Sequence, residues 1–209
     1  MRVLGLGVKD AQKFCGLMDM PQFFYHSTYD IIVKHMHSSI KSVCESLLKS
    51  AAKEEVKETC RARNIEKTTE LTVSGDGTWK KRGFTSLYGV SSVIGYYTGK
   101  VIDVLVKSSY CKMCEFWSKK EGTAEYQEWM EMHGSQCLAN HEGSPGKMEV
   151  DAITEMFQRS VENYGVKYVN YIGDGDSKTY TGIVNVAPYD NTPVIKKECI
   201  GHVQKRMGS

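Results

Sequence analysis

Glu70-Leu71-Thr72-Val73-Ser74-Gly75-Asp76-Gly77 reads as a strand that closes on a carboxylate between two glycines. A second stretch has the same form: Lys167-Tyr168-Val169-Asn170-Tyr171-Ile172-Gly173 runs into Asp174-Gly175-Asp176. A carboxylate at the C-terminal lip of a strand, with glycines freeing the backbone beside it, is placed to face a ligand. Two of them on different strands can hold a divalent cation, the first requirement of metal-dependent phosphoryl transfer. Asp-Gly is also the commonest short turn dipeptide, so either one alone reads first as a plain turn.

Downstream of Asp76, strand-like runs cover 87–97 and 100–106, joined by the tight-turn signal Thr98-Gly99. The three runs predict a meander with Asp76 at the end of its first strand. A loop-rich stretch fills 110–143, and Ser144-Pro145 then supplies a cap followed by proline at the first helical position. Val150, Ile153, Phe157, Val161 and Tyr164 line one face of that helix. The strand ending at Asp174, a weak helix near 177–186 and a short strand from Val194 to Ile200 complete the order β-β-β-(insert)-α-β-α-β. Upstream, a helix over 9–20 is stopped by Pro21, and Ser27 or Thr28 caps a longer one. Its Ile32, Met36, Ile40, Val43, Leu47 and Ala51 follow the spacing of one helical face, while His26, His35 and His37 read as solvated. The domain reading is a helical N-terminal region over 1–68 and an α/β core over 69–209.

The 209 residues suffice for one sizeable core. A hydrophobic share of 41% and a charged share of 25% are those of an ordinary globular chain. A net charge of +2 does not by itself argue for nucleic acid. No run reaches the length of a membrane span, and the apolar start is broken at Lys9-Asp10, too early for a secretory segment. Seven cysteines without an export signal predict a reducing compartment, where cysteines bind metal or stay buried more often than they pair.

Cys111-x2-Cys114 followed by His133-x3-Cys137 has metal-ligand spacing, each pair offering two ligands to a tetrahedral ion. A stretch poor in aliphatic residues needs another source of order, which structural zinc supplies. The expected set is Cys111, Cys114, His133 and Cys137, with His141 as the substitute; scattered free cysteines are the plainer reading. Cys199-x2-His202 is a separate and isolated pair.

Taken together these residues resemble the Mutator-like transposase domain. The matching phrases are Gly5-Leu6-Gly7 with Phe14-Cys15-Gly16, Gly75-Asp76-Gly77-Thr78-Trp79 with Lys81-Arg82-Gly83, and Tyr110-Cys111-Lys112-x-Cys114. They continue through Gly143-Ser144-x-Gly146-x-Met148-Glu149-Val150, Gly173-Asp174-Gly175-Asp176-Ser177-Lys178 and Glu198-Cys199-Ile200-Gly201-His202-Val203-Gln204-Lys205-Arg206. The resemblance implies an RNase H-like core of the DDE type that cuts and joins DNA at transposon ends with two Mg2+ or Mn2+ ions. Its first acidic residue matches Asp76 and its second Asp174, with Asp176 the alternative; Cys199 and His202 match the Cys-x2-His that follows the second. It also implies DNA as partner, the nucleus as location and no membrane, and it leaves a homo-oligomer open.

Lys80, Lys81, Arg82, Lys178, Lys205 and Arg206 stand beside the matched positions and suit DNA phosphates, although solvated surface lysines give the same pattern. Trp79 reads either as a base-stacking residue or as hairpin packing. One departure matters. The family pattern requires a third acidic residue on a helix after the Cys-x2-His, and no Asp or Glu follows Glu198. Glu149 comes too early in the strand order for that role. The expectation is therefore the front part of a longer transposase with an incomplete catalytic set, the alternative being a non-catalytic zinc- and DNA-binding module.

Overall fold

The computed structural model describes residues 7–21, 25–80, 85–173 and 177–198. Lys81, Arg82, Asp174, Asp176, Cys199, His202, Lys205 and Arg206 lie outside these residues. The chain divides into two compact units, Met1–Leu47 and Leu48–Ser209.

The first unit holds α1 (Val8–Leu17) and the first half of the long α2 (His26–Arg63). The Gly7 amide donates to Asp10 Oδ2 at 3.0 Å, closing the N-terminal turn of α1. The helix ends at Leu17, before the predicted limit, because Asp19 takes a left-handed φ of 51° and the Met20 amide turns back to the Cys15 carbonyl at 2.9 Å. Of the apolar face expected on α2, only Ala51 is buried, and it belongs to the second unit.

The second unit is a five-stranded sheet in the order β3-β2-β1-β4-β5. Its strands are β1 (Glu70–Trp79), β2 (Tyr88–Gly95), β3 (Val101–Ser108), β4 (Lys167–Gly173) and β5 (Ile195–Glu198). β1, β2 and β3 pair antiparallel, while β4 lies parallel to β1 and β5 parallel to β4. This is the mixed α/β sheet expected from the sequence, with Gly99 at φ 64° in the predicted β2–β3 turn. Between β3 and β4 come α3 (Lys112–Trp117), α4 (Ala124–His133) and α5 (Pro145–Tyr164); α6 (Ser177–Val186) links β4 to β5.

Helix α5 begins as its sequence dictates. Ser144 Oγ accepts the Lys147 amide at 3.3 Å and Pro145 sits in the first turn; Gly165 ends the helix at φ 68°. Met148, Ala152, Ile153, Met156, Phe157 and Ser160 form its buried stripe. Phe157 meets Tyr168 and Tyr171 edge-on at 5.2 and 5.9 Å, over Leu71, Val73 and Val93 in the same core.

Two buried carboxylates tie helices to this sheet. Asp103 on β3 receives Arg159 of α5. Glu55 on α2, fully buried, accepts the Tyr97 and Thr98 amides at 2.9 Å and the Thr98 hydroxyl at 2.6 Å, so it holds the β2–β3 turn. A side chain at Gly95 would run into the Glu55 carboxylate, which is why the strand ends on glycine there. Glu55→Ala leaves three part-buried donors without their acceptor and should cost about 3 kcal/mol in urea unfolding, hydrogen bonds to charged groups being worth roughly 1.5–3 kcal/mol. The neighbouring Lys100–Glu54 pair, 2.7 Å apart but half-exposed, should contribute under about 1 kcal/mol.

Candidate metal centre and sheet carboxylate

The Cys/His cluster is assembled by two short helices that begin and end at its ligands. Cys111 is the N-cap of α3 and Cys114 lies in its first turn; His133 is the last residue of α4, and a 3-10 turn over Gly134–Gln136 brings Cys137 back. The four ligand atoms lie within 4.8 Å of one another. His133 Nε2 stands 3.4 Å from Cys111 Sγ and 3.3 Å from Cys114 Sγ, and the Cys114 and Cys137 sulfurs are 3.5 Å apart. Tetrahedral zinc, with bonds of about 2.3 Å to sulfur and 2.0 Å to nitrogen, has edges of roughly 3.5–3.8 Å. The cluster therefore fits one zinc ion closed by three thiolates and an imidazole, with no open position for a substrate.

Electrostatics at the cluster pull two of its thiols in opposite directions. Burial opposes the Cys111 thiolate, but the backbone amides of Cys114, Leu138 and Met113 point at its sulfur and bring it down to about 6. Cys114 is pushed up to about 12, by burial first and then by its hydrogen bonds to Cys137 and Cys111. A divalent cation resolves this conflict by displacing the remaining protons.

The surroundings orient the imidazole. Trp129 stacks on His133 with ring centroids 4.4 Å apart, Trp117 stacks on Trp129 at 5.1 Å, and Lys120 Nζ lies 4.9 Å from the Trp117 centroid. Asn140 fixes the insert to the edge of the sheet: its Oδ1 accepts the Ser108 amide at 2.7 Å and its Nδ2 donates to the Val106 carbonyl at 3.1 Å. This also covers backbone groups of an edge strand. Neither the stack nor the Asn140 clamp was legible from ligand spacing, although Trp129, four residues before His133 on a helix, is the local signal for the stack.

His141, the substitute ligand, is not in the cluster. It is buried, with Nδ1 3.2 Å from Asp151 Oδ2 and Nε2 3.3 Å from the Ser144 carbonyl oxygen, and so joins the end of the insert to α5.

Asp76 is not at the end of its strand. β1 continues to Trp79 because β2 pairs with it from Val73 onward, placing Asp76 opposite Ser92 and Trp79 opposite Gly89. The predicted lip exists only on the β4 side, where the last pair is Ser74 with Ile172. The glycines beside Asp76 likewise do other work than loosening a turn. A methyl group at Gly75 would lie 2.7 Å from Ile153 Cδ1, and one at Gly77 would lie 2.9 Å from Glu149 Oε2, so both glycines admit α5. Side chains alternate along a strand, and Asp76 therefore faces away from α5, exposed, on the side shared with half-exposed Ser74, Ser92 and Ile94. Glu149 approaches the same strand from the opposite face.

The remaining described candidates have definite places. Lys80 is exposed with Nζ 5.2 Å from the Tyr88 ring centroid, and Lys178 is exposed in the first turn of α6. Trp79 Nε1 donates to the Pro145 carbonyl at 3.1 Å, which is the packing role. Between Tyr110 and Gly143 three lysines stand against six glutamates, so the insert that carries the Cys/His cluster is acidic. Among the described residues no helix is long and apolar enough to cross a membrane.

The family model for Mutator-like transposase matches residues 1–209. No curated protein and no solved structure matches the chain.

Proposed function

Because the chain belongs to the Mutator-like transposase family, we propose that it is a transposase-derived protein whose sheet carries the metal-binding part of a DNA-cleaving site while its insert is a structural zinc module. The observation that carries this reading is the placement of Asp76: an exposed carboxylate on a sheet face, kept clear of α5, beside the parallel strand that leads to Asp174. Asp76 and Asp174, or Asp176 in its place, are the residues proposed to hold Mg2+ or Mn2+, whose preference for hard oxygen ligands they suit. A divalent ion bound there lowers the pKa of an attacking water or 3′-hydroxyl and stabilises the leaving oxygen. Transposon-end DNA is the proposed substrate and the nucleus the proposed place of action.

Glu149 reaches β1 from the α5 side, and no Asp or Glu follows Glu198. The 209 residues are therefore expected to bind the metal without completing strand cleavage. Mn2+ binding to the zinc-loaded chain, read from the EPR signal of free Mn2+, tests the assignment. Asp76→Ala should weaken it at least about tenfold, as should Asp174→Ala, each removing one ligand of a weak oxygen site. Binding unchanged by both substitutions would remove the two residues from the site.

A second reading, a non-catalytic zinc- and DNA-binding module, is favoured by the closed geometry of the Cys/His cluster. The acidic charge of the insert then directs DNA to Lys80, Lys81, Arg82, Lys178, Lys205 and Arg206 rather than to the zinc module itself. This reading requires salt-sensitive DNA binding that survives Asp76→Ala and Asp174→Ala.

A further inference from the structure

The three sulfurs of the Cys/His cluster differ in how they are reached and how they are held. Cys111 is 6% exposed, and the backbone amides of Met113, Cys114 and Leu138 point at its sulfur. Cys114 and Cys137 are each half-buried, and their sulfurs lie 3.5 Å apart. Cys137 also follows the 3-10 turn in extended backbone, at φ −65° and ψ 131°, outside any helix. A small oxidant therefore meets Cys114 and Cys137 before Cys111, and Cys137 stands in the more adaptable stretch of chain.

Coordination to zinc keeps both thiols deprotonated and side by side, which is the form and the placement that disulfide formation requires. With a hydroperoxide as oxidant, one thiolate attacks a peroxide oxygen, the O–O bond breaks, hydroxide leaves and a sulfenic acid forms. The second thiolate attacks that sulfur and expels a second hydroxide. The two sulfurs give up two electrons to the peroxide, and two protons from solvent turn the hydroxides into water. The sulfurs have to close from 3.5 Å to the roughly 2.05 Å of a disulfide.

We infer that Cys114 and Cys137 form a redox switch, in which a hydroperoxide joins them in a reversible disulfide and the insert loses zinc. This rests on the structural zinc reading. Cys111 and His133 alone are too few to close a tetrahedral site, so the metal leaves when the pair is oxidised. His133 is then released from its stack on Trp129. Asn140, which clamps the insert to β3, lies three residues beyond Cys137, so loosening reaches the edge of the sheet. A transient link of this kind belongs to the reducing compartment that the free cysteines predict.

Stepwise addition of hydrogen peroxide to the zinc-loaded 209-residue chain tests it. Released zinc is read with a chromogenic chelator, the aromatic stack by tryptophan fluorescence, and the disulfide by mass spectrometry of a non-reducing tryptic digest. Trypsin cuts after Lys112 and Lys120, so Cys111, Cys114 and Cys137 fall on separate peptides. One zinc per chain should appear in step with a Cys114–Cys137 link and a fluorescence change, and dithiothreitol with added zinc should reverse all three. Cys44→Ser with Cys60→Ser, the half-buried thiols of α2, should alter none of them. A chain that holds one zinc and keeps it under peroxide overturns the switch and leaves the zinc reading standing. So does zinc release with Cys114 and Cys137 still reduced, or a link between Cys111 and Cys114 instead. A wild-type chain that takes up no zinc under reducing conditions overturns both.

Discussion

Cys114→Ser should take bound zinc from one ion per chain to none and unfold the insert while leaving the sheet in place. The ground for so large an effect is how little else holds residues 110–143. Cys111 and His141 are the buried side chains among them, and Met113, Phe116, Met132 and Leu138 are 48, 68, 72 and 71% exposed. Helices of six and ten residues are too short to persist without tertiary support. Structural zinc supplies about 10–16 kcal/mol in small modules of this kind, and that binding energy is folding energy. Cys114 is the right residue to remove because its sulfur lies against both His133 and Cys137. Limited trypsin digestion should then cut at Lys112, Lys119 or Lys120, and the fluorescence of the Trp117–Trp129 stack should change as His133 is released. The sign of the pH effect follows from the thiols. The folded Cys111 pKa lies below its ordinary value of 9.0, so the contribution of its thiolate is present above 9.0 and is lost as the pH falls through about 6. Zinc should therefore leave on acidification, protons competing for every ligand. A stoichiometry of one retained by Cys114→Ser, or a zinc-free wild type with an intact insert, would refute the assignment.

The largest effect outside the zinc module is expected at Asp103. It is fully buried and accepts from Arg159 Nη2 at 2.6 Å, Arg159 Nε at 3.2 Å, the Tyr164 hydroxyl at 3.1 Å and the Val104 amide at 2.8 Å. Burial works against the Arg159 cation, but its hydrogen bond and ion pair with Asp103 outweigh this and hold its pKa above the ordinary value. Asp103→Ala removes the carboxylate and leaves a half-buried guanidinium with the Val104 carbonyl, 3.0 Å away, in place of its ion pair, a change that costs up to about 3–5 kcal/mol. Domain stabilities run from about 5 to 15 kcal/mol, so the variant should sit near its unfolding threshold. Urea unfolding of the zinc-saturated chain measures the loss. A paired Asp103→Leu, Arg159→Met exchange should recover most of it, because the cost lies in the stranded partner rather than in a large net gain from the pair. A loss under about 1 kcal/mol for Asp103→Ala would mean that water reaches the pair.

These two sites differ in how legible they were. The Cys/His cluster could be read from spacing because each pair lies within one turn of chain, and local geometry alone brings its two donors to one side. Asp103 and Arg159 are separated by 56 residues and carry no local signature. The stripe on α2 shows the reverse case: its periodicity was plain, but periodicity does not say what covers a face, and among the described residues most of the stripe is exposed.

The sequence by itself determined the element order outside the insert, the tight turn at Thr98-Gly99, the cap at Ser144-Pro145, the members of the Cys/His cluster and, through motifs spread along its length, the family; the two short helices of the insert, read as loop, came only with the structure. Each of the former depends on residues within a few positions of one another, where backbone preference and side-chain reach decide the outcome. Only the tertiary structure decided what surrounds Asp76. Pairing with β2 carries its strand on to Trp79, and the approach of α5 explains Gly75 and Gly77, sets Glu149 on one face and leaves Asp76 on the other. Which face of a strand a helix covers is settled by packing between segments more than 70 residues apart, as Gly77 and Glu149 are, and no local preference reaches that far.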